Sequence, residues 1–424
     1  MKSVSSRVYY GEYTLRHWVD LILCGDIELP NYQRSFVWNK KDVERLLFSL
    51  NDGLFVPPVT IGHYKTKKQN LILDGQQRLT SILLFALGVM PKKESFDAME
   101  NLASGDDSAT GDSSADTIRE ETLGWTFRTL LNEGSRKTLL EWREVIKNNA
   151  KYDQLDVPQI ENINEFLEQR YLGFSYIVPK VSDNREQQKY FSMLFRNINY
   201  WGVKLSSMES RRSLYFMNDS LTNFFEGKIS NTQLIFNNIF IQENWQTCKI
   251  DFVRYLSILS QYYVLNGNVS QVLRGYAAYS TRENFYADYV SYIVGIEGTR
   301  ADLFGGFKFE EVFPNNSWKD CFLKAKETID VLQNEMDLES KNNILLFKSW
   351  IDADYWLFGL LYFILFEKKS IDMTNSNSLA NRIKEEIQEK KRDGTSSYVK
   401  APNRLGYLRE RISHSIDIYK DYVS

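Results

Sequence analysis

Cysteine is nearly missing from this chain. Cys24, Cys248 and Cys321 are odd in number, widely spaced and without a C-x-x-C pair, which excludes a disulfide framework and a zinc ribbon and reads as reduced core thiols. Histidine is as scarce: His17, His63 and His414 each stand alone, the first on a helix face and the second in a strand. Long apolar runs are absent too. The most apolar stretch, Tyr355 to Phe366, is flanked by Asp352, Asp354, Glu367, Lys368 and Lys369. It falls short of the roughly 20 residues a membrane span needs and reads as a buried helix, so no membrane partner is expected. Met1 to Tyr10 holds Lys2 and Arg7 with no apolar segment behind them, which excludes a secretory signal and implies a cytoplasmic protein. Positive charge is not in excess: a net charge of -3 and a pI near 5.9 give no general attraction to phosphate backbones. Any bound nucleic acid must meet a local basic patch.

What is present is the composition of a globular protein, with 43% hydrophobic, 14% aromatic and 25% charged residues. A chain of 424 residues exceeds one ordinary core, so two domains are expected. Thr14 caps a helix to about Cys24, Gly25 breaks it, and Ile27 to Pro30 reads as a short strand. Asn39 and Asp42 cap a second helix, on which Val43, Leu46, Leu47 and Leu50 keep helical spacing until Gly53. Val59 to Tyr64 and Leu71 to Leu73 form a hairpin, followed by a helix from about Gln77 to Leu87. Between Glu94 and Glu121, nine acidic residues face one basic residue, Arg119, among Ser, Gly, Ala and Thr, the pattern of a flexible insertion. Helical pattern returns from Trp125 to Asn148, a strand at Phe174 to Val178, and a helix from Glu186 through Arg196. Ser206 and Glu209 form an S-x-x-E box opening a helix to about Phe225. After Gly227 the periodicity is helical nearly throughout, as in Phe252 to Val264, Trp318 to Leu332 and Ile344 to Phe366. There is no internal repeat and no sustained heptad.

One string carries chemistry. Leu71-Ile72-Leu73-Asp74-Gly75-Gln76-Gln77-Arg78-Leu79 runs from an apolar strand through a glycine turn into a helix. A helix N-terminus offers unpaired N–H groups and partial positive charge, suited to a polyphosphate, and Gly75 permits close backbone approach. Arg78 adds a forked contact worth roughly 1.5–3 kcal/mol, Asp74 can hold Mg²⁺ or orient water, and Gln76 and Gln77 can position a nucleophilic water. The competing reading is an ordinary strand-to-helix turn with Asp74 as cap and Arg78 solvated.

A second string, Leu29-Pro30-Asn31-Tyr32-Gln33-Arg34-Ser35-Phe36-Val37-Trp38, precedes the first. A third is Phe195-Arg196-Asn197-Ile198-Asn199 with Leu205, Ser206 and Glu209, Gly202 supplying a slightly displaced small residue. In this order they resemble the N-terminal domain of GmrSD-type, modification-dependent restriction endonucleases, also called domain of unknown function 262. That family is a relative of the ParB/sulfiredoxin-like nucleotide-binding fold, with a Pro-x-Tyr-Gln-Arg string before Asp-Gly-Gln-Gln-Arg. The resemblance covers about residues 10 to 220 and implies NTP binding and hydrolysis with Mg²⁺. It makes Asp74, Gln77 and Arg78 catalytic, with Gly75 and Gln76 in the phosphate loop, Gln33 and Arg34 folded over it, and Arg196, Asn197 and Asn199 completing the pocket. Tyr32, Phe36 and Trp38 read as core packing.

Nuclease members of the family carry a C-terminal His-Asn-His domain, and none of the three histidines sits in such a setting. No metal ligands are assigned. Asp354, or Glu386 with Glu389 and Lys390, fits a nuclease carboxylate cluster only loosely, and a solvated helix face explains them better. Arg382 to Arg411 carries nine Lys or Arg against five acidic residues with Tyr398 and Tyr407 between, a run able to touch phosphates but read as a solvated terminal helix. The expected architecture is thus an α+β ParB/sulfiredoxin-like domain over 1–220, interrupted at 94–121, and a predominantly α-helical domain over 221–424. The expected activity is that of an NTP-binding or NTP-hydrolysing subunit of a DNA-targeting defence system, gating a separately encoded nuclease or contacting DNA through its helical domain. The alternatives are a nucleotide- or nucleic-acid-binding scaffold without turnover, and a nuclease with an unrecognised C-terminal site.

Overall fold

The computed structural model describes residues 6–30, 36–65, 67–96, 100–103, 118–120, 125–132, 137–181, 183–201, 207–216, 218–229, 238–241, 246–279, 281–296, 301–338, 350–392 and 404–424. The chain divides into two compact units, Met1–Met99 with Glu121–Phe216, and Glu100–Glu120 with Met217–Ser424.

The first unit runs β1 (Ser6–Thr14), α1 (Leu15–Cys24), α2 (Lys40–Asn51), β2 (Val59–Tyr64), β3 (Gln69–Asp74), α3 (Gln76–Leu87), β4 (Val89–Pro91) and α4 (Lys93–Phe96). Past β5 (Glu100–Ala103) and β6 (Ile118–Glu120), which belong to the second unit, come α5 (Phe127–Asn132), α6 (Leu139–Ile146), β7 (Tyr152–Gln154), α7 (Ile163–Gln169), β8 (Tyr171–Pro179), α8 (Asn184–Trp201) and α9 (Ser207–Arg212). Its main sheet has the order β1-β8-β2-β3, with β8 and β2 parallel and the other pairs antiparallel.

Local chemistry sets these elements. Thr14 Oγ1 accepts from the His17 N–H at 3.2 Å to start α1, and Gly25, at φ 74°, ends it. Asn39 and Asp42 cap each other's backbone in a capping box opening α2. The apolar stripes of both helices, Leu15, Trp18, Val19 and Ile22 on one and Val43, Leu46, Leu47 and Leu50 on the other, lie in the core. Each such side chain contributes about 1.5–3 kcal/mol by burial. Trp18 keeps its indole satisfied by donating to the Leu172 carbonyl at 3.1 Å. The expected hairpin is β2–β3, and α8 lies against it through Phe191, whose ring a side chain at Gly62 would meet.

Several expectations are corrected. Ile27 to Pro30 is no strand beyond a single bridge, Glu28 with Leu71. Pro30 has no N–H to extend a ladder, and the Leu29 carbonyl is taken by the Arg128 guanidinium, which burial holds below its ordinary pKa while Glu28 opposes that shift. The Trp125 to Asn148 stretch is two helices, because Thr138 and Glu141 form a fresh capping box at α6. Likewise α9 ends at Arg212 and the Asn218 side chain caps a new helix, α10 (Asp219–Phe225). Within the acidic stretch, β5 and β6 pair antiparallel, and β5 pairs in parallel with β10 (Gln246–Ile250). Cys24 is exposed, whereas Cys321 is buried as expected.

The second unit adds β9 (Asn238–Ile241) beside β10, giving a sheet of order β6-β5-β10-β9. The remainder is helical: α11 (Phe252–Val264), α12 (Val269–Ala277), α13 (Arg282–Val294), α14 (Phe309–Val312), α15 (Trp318–Glu335), α16 (Trp350–Leu361), α17 (Ser376–Lys391) and α18 (Leu405–Tyr419). The apolar Tyr355 to Phe366 stretch is the buried body of α16 and the π-helical turn Tyr362–Phe366 that continues it. Helices α16 and α18 meet closely at Gly359, whose N–H donates to Ser415 Oγ at 2.7 Å and where a Cβ would collide with the Ser415 carbonyl. Among the described residues no helix is long and apolar enough to cross a membrane.

Candidate functional site

Asp74 is the last residue of β3, and Gly75 turns the chain into α3 at φ 94°. An L side chain resists that backbone, and a Cβ there would lie 3.0 Å from Val59 Cγ2 and 3.2 Å from Arg78 Nη2. Gly75, in the cap position of this 12-residue helix, has no side chain to offer the first-turn amides. The α3 N-terminus therefore presents backbone donors and the positive end of its dipole without an intramolecular side-chain acceptor in the Gly75 cap position.

Arg78 reaches back from the first turn. Its Nη2 donates to Asp74 Oδ2 at 2.7 Å and its Nη1 to the Pro57 carbonyl at 2.7 Å. The Asp74 side chain is 48% exposed and the Arg78 side chain 12%. The guanidinium is thus oriented by two acceptors while the carboxylate still faces solvent, a combination that also describes a structural staple worth up to about 1 kcal/mol. Gln76 and Gln77 are buried. The Gln77 side-chain oxygen accepts the Val37 N–H at 3.0 Å, and its carbonyl accepts the Ser81 hydroxyl at 2.8 Å. Through that first bond the glycine turn is tied to the string holding Gln33 and Arg34. Phe36 anchors the same string in the core, with its N–H on the Trp125 carbonyl at 2.8 Å and its ring 6.2 Å from the Trp125 ring. Phe36 and Trp38 pack as expected.

Gln33, Arg34 and Tyr32 lie outside the described residues, as do Gly202, Leu205 and Ser206. Arg196, Asn197 and Asn199 are on α8, and of their side chains only that of Asn197, exposed, is described. The structure also brings in residues that the motifs did not single out. Thr60 lies directly across from Asp74, and Ser175 Oγ donates to Thr60 Oγ1 at 3.0 Å, so two hydroxyls and a carboxylate form a polar row across three strands. A register shift between Thr60 and Ile61 marks the same place. Pairing partners so distant in sequence leave no local signal, and only the strand register reveals them.

Residues 16–216 match the family described as GmrSD restriction endonuclease, N-terminal domain. The three strings and the β3–Gly75–α3 junction all fall inside the match. The chain is also similar to an uncharacterised protein of Methanocaldococcus jannaschii, at 26% identity over 230 residues. That alignment covers 43% of this chain and 38% of the relative, so the chain spans well under half of the relative's length. No solved structure matches the chain.

In the second unit the carboxylates weighed for nuclease chemistry separate. Asp354 is not on a solvated face: it is fully buried and receives Arg254 Nη1 at 2.8 Å and Nη2 at 2.9 Å, Arg411 Nε at 2.9 Å and the Tyr255 hydroxyl at 2.5 Å. Burial, followed by the Asp354 charge, raises the Tyr255 phenol well above its ordinary pKa. Arg411 is likewise buried, so the basic run is not solvated along its whole length. Asp352 pairs with Lys391 at 2.7 Å. His414 does not stand alone: its Nδ1 bonds Glu386. Among the described residues no group of three or more His, Cys, Asp or Glu could hold a metal ion. A carboxylate held by two guanidiniums at zero exposure joins helices; it has no open position for a substrate.

Proposed function

We propose that residues 16–216 are the nucleotide-handling domain of a restriction-like defence protein, of ParB/sulfiredoxin-like fold, taking an NTP with Mg²⁺ where β3 gives way to α3. The observation carrying this reading is the glycine turn into α3, where Arg78 pairs with Asp74 beside the first turn and Val37 is tied in through Gln77. The donors suit the ligand: first-turn amides take phosphate oxygens, and an exposed carboxylate such as Asp74 is available to a cation that arrives with its nucleotide. Mg²⁺ would supply charge neutralisation for the phosphates. Gln77 orients Val37 through its side-chain oxygen, and Arg78 supplies a cation in the first turn. Gln76, Gln33, Arg34, Arg196, Asn197 and Asn199 are proposed as the remaining pocket.

In this reading the protein regulates a separately encoded nuclease or meets DNA through the exposed Arg392, Arg404 and Arg409 of the second unit. A scaffold that binds nucleotide without turnover is favoured by one observation: Arg78 is already paired with Asp74, which leaves less charge for a transition state. Phosphate release from ATP or GTP with Mg²⁺ separates the two. Turnover in the wild type that is lost in Asp74→Ala and Arg78→Ala supports catalysis, binding without release supports the scaffold, and neither binding nor release contradicts both.

A further inference from the structure

Lys368 follows the π-helical turn of the second unit at φ 58°. Part of the residue is exposed, yet its ammonium turns inward: Nζ donates to the Leu365 carbonyl at 2.6 Å and sits 4.0 Å from the centre of the Phe313 ring. It also lies 3.6 Å from Cys321 Sγ. Cys321 is 8% exposed, on the α15 face that buries Trp318, Phe322 and Ala325. The adjacent Glu367 is engaged elsewhere, accepting the Tyr362 hydroxyl at 2.8 Å and lying 4.0 Å from Lys369. Among the described residues Lys368 has no carboxylate partner. An amine is therefore held against a thiol in a half-buried site, its charge met by a carbonyl dipole and a ring face and by no carboxylate among the described residues. Burial moves the Lys368 ammonium below its ordinary pKa, with Cys321 partly opposing. A neutral amine is a nucleophile, and a thiol that has taken up oxygen is its electrophile.

We propose that Cys321 and Lys368 form an oxidant-driven sulfur–nitrogen crosslink, with hydrogen peroxide as oxidant. Peroxide gives one oxygen to the Cys321 sulfur; its O–O bond breaks, water leaves, and the thiol is oxidised to a sulfenic acid. The Lys368 lone pair then attacks that sulfur. The S–O bond breaks, hydroxide departs with one amine proton as water, and the S–N bond forms. One thiol, one amine and one peroxide yield a sulfenamide and two waters, so the charge and electron count close. A small-molecule dithiol reverses the link by thiol attack on sulfur. The bond joins α15 to the end of the π-helical turn and constrains the chain between them, which stabilises the second unit against unfolding. Cys24, exposed, serves as an internal control.

The experiment treats the full-length protein with dilute hydrogen peroxide, quenches, digests without reductant and weighs the peptides. The expected result is a joined pair containing Cys321 and Lys368, lighter than the sum of the two peptides by two hydrogens, uncut at Lys368 and released by dithiothreitol. Its yield rises with pH as more of the amine is neutral. Lys368→Arg keeps the cation over Phe313 and is expected to abolish the joined pair, Cys321 then advancing to the sulfinic acid. Should that variant not fold, the wild-type masses decide alone. Cys321 recovered with two or three added oxygens, or untouched, beside a freely cleaved Lys368 overturns the proposal.

Discussion

Gly75 is where backbone physics constrains the site most tightly. At φ 94° and with Val59 already in contact, Gly75→Ala is expected to destabilise the first unit by about 1–2 kcal/mol, seen as a lower urea midpoint. An unchanged midpoint would mean the turn relaxes and the geometry is not enforced. Asp354 makes a stronger case in the second unit. Asp354→Ala leaves Arg254 and Arg411 buried beside a missing carboxylate and is expected to cost roughly 3–5 kcal/mol, measured by denaturant unfolding. Loss below about 1 kcal/mol would show that the two guanidiniums are satisfied by other groups. The two residues differ in legibility. Gly75 sits in a contiguous string whose chemistry can be read directly, whereas Asp354 meets partners 57 and 100 positions away, so its charge suggested solvent when its surroundings are the core.

At the scale of elements, helices with their own start and stop signals were legible: α1, α2 and α3 follow from Thr14, Asn39 and the Gly75 turn, and β2–β3 from two apolar runs around a polar loop. Boundaries failed where capping overrode periodicity, at Thr138 and Asn218, and strand status failed at Pro30, which cannot donate. The row of Asp74, Thr60 and Ser175 was invisible because register is a tertiary property. The acidic stretch shows composition outvoted by pairing: Glu100–Ala103 and Ile118–Glu120 carry only a few apolar residues, yet their backbones find partners. Replacing residues 100–120 with a short Gly-Ser linker is therefore expected to expose the β10 amides that face β5 to hydrogen exchange while leaving those of β2 and β3 protected. Protection unchanged in β10 would contradict that pairing.

At the scale of the whole molecule, two units share one chain whose 100–120 segment leaves the first and joins the second. The GmrSD N-terminal match spans residues 16–216, most of the first unit, while the second unit was readable only as helical. The function proposed for the first unit requires that a triphosphate be held at the start of α3 with the aid of the Arg78 guanidinium. Calorimetric titration of ATP and GTP, each with Mg²⁺, into wild-type and Arg78→Ala protein of matching circular dichroism tests it most directly. Losing a charge-assisted contact of about 1.5–3 kcal/mol predicts saturable binding to the wild type that weakens by roughly tenfold or more in the variant. Equal affinity in both proteins, or no heat from either nucleotide with the wild type, would contradict it.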